Sequence, residues 1–302
     1  MTNQLSEKIL KLKKEKNAII LAHLYQIPEV QEIADYVGDS YYLSKVARDA
    51  KEDLIIFCGV KFMAESAKIL SPNKTVILPA PDAGCPMADM AEAEDLKEKI
   101  KEYPDAFKVC YINSSYEVKA LCDASVTSSS ALEIMKNIPN KQILFLPDRN
   151  LGGYIAEFFP EKEFIQWKGF CPTHERVSAE DVIKLKEEHP NVKVLSHPEC
   201  SKEVRDLSDY IGSTSGIIKF ATECEDKEFI ICTEQGVLHE LKKNNPDKEF
   251  YFPENMICPN MKKTTLQDVY DALTGKKEEI ILDEETSKKA LTALENMHKL
   301  GK

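Results

Sequence analysis

Short apolar runs alternate with charged, helix-spaced stretches along the whole chain. Runs rich in Ile, Val, Leu and Phe at residues 18–23, 54–60, 108–113, 142–146, 192–197 and 228–233 are too short for buried helices and predict strands. Charged stretches at residues 5–16, 91–102 and 179–188 predict amphipathic helices. Strand and helix signals that take turns in this way predict parallel βαβ units with helices on both sheet faces. Right-handed crossovers then make each unit a small three-layer sandwich.

The alternation itself repeats three times. Each unit opens with one of the charged helices and passes into a strand ending in a polar residue: His23, Asn113 or His197. A small-residue turn then opens a helix, at Ser40, Ser128 and Ser213. A second strand and helix follow, and a third strand leads into Cys85-Pro86, Cys171-Pro172 or Cys258-Pro259. The cysteines lie 86 and 87 residues apart, the serines 88 and 85, the strand-end residues 90 and 84. Landmarks that keep order and spacing three times are an internal repeat. With only three units and a tail, the repeat predicts closed pseudosymmetry. The expected fold is α/β: three pseudosymmetric three-layer αβα domains with parallel sheets around a central cluster site. Their expected spans are 1–84, 85–170 and 171–259, with a tail, 260–302, packing on the first and carrying helices at 265–273 and 284–300.

Composition narrows the setting. A chain of 302 residues with 43% hydrophobic content can bury a substantial core. Its net charge of −11 disfavours nucleic acid and anionic membranes as partners. No apolar run approaches the roughly 20 residues of a membrane span. The lysine-rich first helix has no apolar segment of the secretory kind, so a cytoplasmic enzyme is expected. Nine cysteines in a reducing compartment argue against disulfides. Cys58, Cys110 and Cys232 fall inside apolar strands and read as buried structural thiols; Cys122, Cys200 and Cys224 have no counterparts in the other units.

The remaining three cysteines carry the chemistry. In parallel sheets the loops beyond the strand C-termini converge on the ligand crevice, so three equivalent cysteines about one axis would face one point. Structural zinc sites favour four ligands in close pairs, and no CxxC occurs here. Three distant thiolates suit an iron–sulfur cubane with one iron left open, a Lewis acid for dehydration chemistry. The turns at Ser40, Ser128 and Ser213-Thr214 open helices, whose free amides and hydroxyls suit phosphate or carboxylate. Together they predict a polyanion pocket made without lysine or arginine. His23 with Tyr25, Tyr111 with Asn113, and His197 with Glu199 supply groups for general acid–base catalysis, Pro198 stiffening the last pair. His174 reads either as a donor behind the bound group or as a surface histidine. Arg149 reads either as an interdomain ion pair or as a ligand contact.

These motifs resemble the quinolinate synthase family. The matching segments are Leu21-Ala-His23-Leu-Tyr25-Gln, Ala34-Asp-Tyr-Val-Gly-Asp-Ser40, Tyr111-Ile112-Asn113-Ser, Leu146-Pro-Asp-Arg-Asn-Leu-Gly, His197-Pro198-Glu199-Cys200, Ile211-Gly-Ser-Thr214 and the three Cys-Pro sites. One departure is Leu24, where many members carry asparagine. The resemblance implies a [4Fe-4S] cluster with Cys85, Cys171 and Cys258 as its only protein ligands. It implies a transferase of NAD biosynthesis that condenses iminosuccinate with dihydroxyacetone phosphate to quinolinate, releasing phosphate and two waters. An aspartate oxidase or dehydrogenase would then supply the iminosuccinate. It implies substrate contacts at His23, Ser40, Tyr111, Asn113, Ser128, His197, Glu199 and Thr214, and Ile112 and Pro198 within the same runs are expected to join them. Glu199, Tyr25, His23 and His197 are expected to form the catalytic set, with Glu199 and Tyr25 moving protons. Two other classes compete: an open-iron hydro-lyase and a non-enzymatic iron–sulfur redox sensor.

Overall fold

The computed structural model describes residues 2–301. Twelve strands form three parallel sheets among them. The first sheet contains β1 (Ala18–His23), β2 (Tyr36–Gly38), β3 (Leu54–Cys58) and β4 (Thr75–Ile77), in the order β2-β1-β3-β4. The second contains β5 (Phe107–Tyr111), β6 (Ala124–Val126), β7 (Gln142–Leu146) and β8 (Glu163–Gln166), in the order β6-β5-β7-β8. The third contains β9 (Lys193–Ser196), β10 (Tyr210–Ile211), β11 (Glu228–Cys232) and β12 (Glu249–Tyr251), in the order β10-β9-β11-β12. The three orders are the same, and helices flank each sheet, so the expected three-layer α/β repeat is present.

Each sheet has four strands where the apolar pattern predicts three. The additional strands, β2, β6 and β10, are edges of two or three residues, too short to give a hydrophobic period. An aspartate before each one fastens it. Asp35 accepts from the Ile20 amide at 2.8 Å, Asp123 from the Lys108 amide at 2.8 Å and Asp209 from the Val194 amide at 2.9 Å. The same three aspartates pair with Lys13, Lys108 and Lys193.

The order of strands places the site. From the first strand of each sheet the chain steps outward to the edge, then crosses back to the strand on the other side. The switch point therefore lies between β1 and β3, β5 and β7, and β9 and β11, where the C-terminal loops open a crevice. The central strands pack on both faces, and β1 is buried along its length. Cys58, Cys110 and Cys232 are fully buried in these cores, as their apolar surroundings predict.

Two helices of the tail tie the units together. Leu266–Leu273 packs Leu266, Val269 and Leu273 into the core of the first sheet with Ile9, Ile20 and Ile56. Glu284–Leu300 lies across the helices Lys61–Leu70 and Tyr116–Lys119 and strand β6, so it spans the first and second sheets. Between them, the Ile280 amide donates to the Val76 carbonyl and covers the exposed edge of β4.

Candidate active site and metal centre

The crevices of the three sheets meet in one cavity. It is lined by His23, Tyr25, Ser40 and Cys85 from the first unit, by Tyr111, Asn113 and Ser128 from the second, and by Cys171, His197, Glu199, Thr214 and Cys258. Ile112 and Pro198 are buried and are not among the residues that line it. Those two fall within the matching runs but present no surface to the cavity.

The local backbone prepares each cysteine. Cys171 occupies the N-cap of the helix Pro172–Glu175, with proline supplying the first helical φ. Burial pushes the Cys85 thiol up to about 12, while hydrogen bonds from the Ala88 and Met87 amides favour its thiolate. Burial and the charge of Glu199 raise Cys171 further, opposed by the His174 amide. Burial also raises Cys258, opposed by the Met261 and Asn260 amides and by the Thr173 hydroxyl. In all three units, therefore, amides two or three residues after the cysteine turn toward its sulfur. Such amides fit a negative sulfur better than a neutral thiol. Among the described residues, the group whose ligand atoms all lie within 4.8 Å of one another is Cys171, His174 and Glu199, which could hold a metal ion.

The two strand-end histidines share one arrangement. The Tyr25 amide donates to His23 Nδ1 at 3.1 Å, and the Glu199 amide donates to His197 Nδ1 at 3.3 Å. Burial lowers His23 to about 3 and His197 to about 4, so both rings are neutral near pH 7. With Nδ1 accepting, the proton of each ring sits on Nε2, a neutral donor for a substrate oxygen. Glu199 is buried, yet hydrogen bonds from His174 Nδ1, 2.8 Å from Oε2, and from the Tyr111 hydroxyl, 2.6 Å from Oε1, favour its ionised form.

Anion donors surround this core. Asp39 caps the helix Ser40–Asp49, and Ser213 caps Thr214–Glu223, so Ser40 and Thr214 stand at the first helical position of each. Ser128 takes the corresponding place after Thr127, in a turn closed by Ser130. Asn113 Oδ1 is buried without a hydrogen-bond partner, a group waiting for a donor. The expectation of a pocket without lysine or arginine does not hold: the exposed Arg176 also lines it.

Sequence reasoning left two residues of the site open, His174 and Arg149, and missed Thr233, Glu234 and Gly236. His174 is buried, not a surface residue; its ring stacks on His197 at 4.9 Å between centroids, and Nδ1 lies 3.2 Å from Cys171 Sγ. Its place three residues beyond Cys171 was the available signal. Thr233, after β11, bonds to both Tyr25 and His174. Glu234 is fully buried, pairs with Lys262 at 2.9 Å and accepts from the Cys258 amide. Gly236 abuts Tyr25 so closely that a Cβ would stand 2.7 Å from its backbone, which is why glycine is required at this seam. Arg149 forms an ion pair with Glu175, joining the second unit to the start of the third.

The geometry can now be set beside known proteins. The family model for quinolinate synthetase A protein matches residues 7–299. Quinolinate synthase of Clostridioides difficile (strain 630) is 60% identical over 302 residues, covering 100% of this chain and 99% of that protein. Quinolinate synthase of Clostridium perfringens (strain SM101 / Type A) is 61% identical over 296 residues, 98% of each chain. That of Caldicellulosiruptor bescii is 57% identical over 298 residues, again 98% of each. The match runs through all three sheets and every cysteine of the cavity, and the chain belongs to the quinolinate synthetase A family.

Proposed function

We propose that this protein is a quinolinate synthase of NAD biosynthesis, condensing iminosuccinate with dihydroxyacetone phosphate and releasing phosphate and two waters. One observation carries the reading: cysteines from three repeats face one cavity, each with amides that favour its thiolate. That donor set fits a [4Fe-4S] cluster held by Cys85, Cys171 and Cys258. When bound, the cluster supplies an iron with a free coordination position, a Lewis acid for dehydration.

The chain's own residues do the rest. Ser40, Ser128 and Thr214, with the amides of their turns, hold the carboxylates and the phosphate. His23 and His197 donate from Nε2 to substrate oxygens, and Asn113 accepts through its unpaired Oδ1. Glu199, ionised and beside Tyr111, takes protons from substrate carbon or nitrogen; Tyr25 returns them to departing oxygen. Iminosuccinate arrives from an aspartate oxidase or dehydrogenase, and the reaction takes place in the cytoplasm.

Anaerobic preparation with iron and sulfide tests the assignment. The expected result is about four irons per chain, the content of one cubane cluster, and quinolinate only when both substrates are present. Dehydration of a single hydroxy acid without dihydroxyacetone phosphate would instead identify a hydro-lyase. The tight Cys171, His174, Glu199 group supports a second reading, a single ion such as zinc. One zinc per chain, with activity and no iron, would favour it.

A further inference from the structure

The three units share a feature that none of the motifs reveals. A short helix joins the first strand of each sheet to its edge strand: Pro28–Ile33, Tyr116–Lys119 and Lys202–Asp206. Each helix carries one buried nitrogen donor, Gln31, Lys119 or Arg205, and the three recur at intervals of 88 and 86 residues. Each donates to the main-chain carbonyl five residues before it. Gln31 Nε2 is 2.8 Å from the Gln26 oxygen, Arg205 Nη1 is 3.0 Å from that of Cys200, and Lys119 Nζ bonds that of Ser114. Those carbonyls lie in the loops that carry His23 and Tyr25, Asn113, and His197 and Glu199.

Each donor also reaches another unit. Gln31 Nε2 is 3.1 Å from the Gly236 oxygen on the third. Arg205 Nη1 is 3.1 Å from the Asn150 oxygen, and Nη2 pairs with Glu157 at 3.0 Å, both on the second. Lys119 Nζ stands 5.5 Å from the centre of the Phe62 ring on the first. First to third, third to second, second to first: the contacts close a ring around the cavity.

Leucine or methionine would fill the same space, and buried cations are costly to desolvate. Nor do the donors complete their own bonding, for Gln31 Oε1 and Arg205 Nε are buried without partners. What they contribute is geometry. Gln31 Nε2 also lies 3.1 Å from the Leu24 oxygen, so it grips the chain on both sides of Tyr25, and its third acceptor, Gly236, abuts the Tyr25 backbone. Arg205 holds the carbonyl beside Glu199; Asn150, which it also holds, donates to the Glu199 carbonyl at 3.0 Å.

We propose that Gln31, Lys119 and Arg205 are positioning residues that lock each strand-end loop of the cavity to another unit, keeping Tyr25, Asn113 and Glu199 in fixed relation around one substrate. The task needs only an N–H donor aimed at a loop carbonyl, so three unlike side chains perform it and residue identity hides the repeat. The role rests on the reading of this cavity as the site of quinolinate formation.

Two measurements on the iron-loaded full chain test it. Gln31→Met keeps the length and loses the donor; kcat for quinolinate falls roughly tenfold or more, with KM for dihydroxyacetone phosphate little changed. Lys119→Met falls likewise, and Lys119→Gln, the side chain the first unit uses, restores most of the loss. Wild-type kcat in both methionine variants, or no rescue by Lys119→Gln, overturns the proposal. Hydrogen exchange needs no activity. In Gln31→Met the amides of residues 24–26 and of Gly236 exchange faster, while β1 and β3 keep their protection. Unchanged exchange at those loops, faster exchange throughout the first sheet, or a variant that does not fold makes Gln31 a general stabiliser and overturns the proposal. A wild-type protein that makes no quinolinate sinks the functional reading, and the exchange pattern still decides whether the loops are locked.

Discussion

Glu199 shows how neighbours decide what a side chain does. Burial alone would neutralise it, but hydrogen bonds from the Tyr111 hydroxyl and the His174 ring favour its charged form. Glu199→Gln keeps the volume and loses the base, so quinolinate turnover should fall roughly 100-fold or more, with iron content unchanged. Near-normal turnover with a full complement of iron would sink the assignment. The strand-end residues were legible because the repeat brought His23, Asn113 and His197 into register. His174 was only half legible: a histidine three residues past a cysteine looks the same whether it turns inward or outward, and here its stacking on His197 decides. Thr233 gave no signal, since a threonine closing a β-strand is ordinary and its partners lie 208 and 59 residues away.

Elements show the repeat more fully than the motifs did. The apolar runs revealed the inner strands, but β2, β6 and β10 are held by tertiary bonds that leave no hydrophobic period. Their mark is polar: Asp35, Asp123 and Asp209, each just before its strand and each bonded to an inner-strand amide. These aspartates recur at intervals of 88 and 86 residues, a signal as regular as the cysteines. Asp123→Ala removes the bond to the Lys108 amide and the ion pair with its side chain. It should lower stability by about 1 kcal/mol in urea unfolding. Glu133→Ala, which breaks only an exposed helix pair with Lys136, should stay within about 0.5 kcal/mol. Equal effects would mean that the edge strand needs no such fastening.

At the scale of the molecule, buried histidines set the response to acid. His23 and His298, the latter packed against Tyr41 by the last helix, are lowered by burial to about 3 and about 4 from an ordinary 6.5. The unfolded chain therefore binds protons from about pH 6.5 downward, while the folded protein refuses them until about pH 4. Stability should be flat above that window and fall on acidification through it. His298→Leu should make the fall shallower, read as the urea midpoint against pH; an unchanged slope would remove His298 from the account. The three-sheet plan was legible from spacing, whereas the bridging of two sheets by Glu284–Leu300 was not, because one amphipathic face does not say how many partners it covers. The frame is threefold, but its inner corners carry unlike groups: imidazole with phenol, carboxamide with phenol, imidazole with carboxylate. A small flat molecule entering along that axis meets three different walls, so the enclosure is chiral toward its guest and admits one pose where a truly symmetric one would offer three.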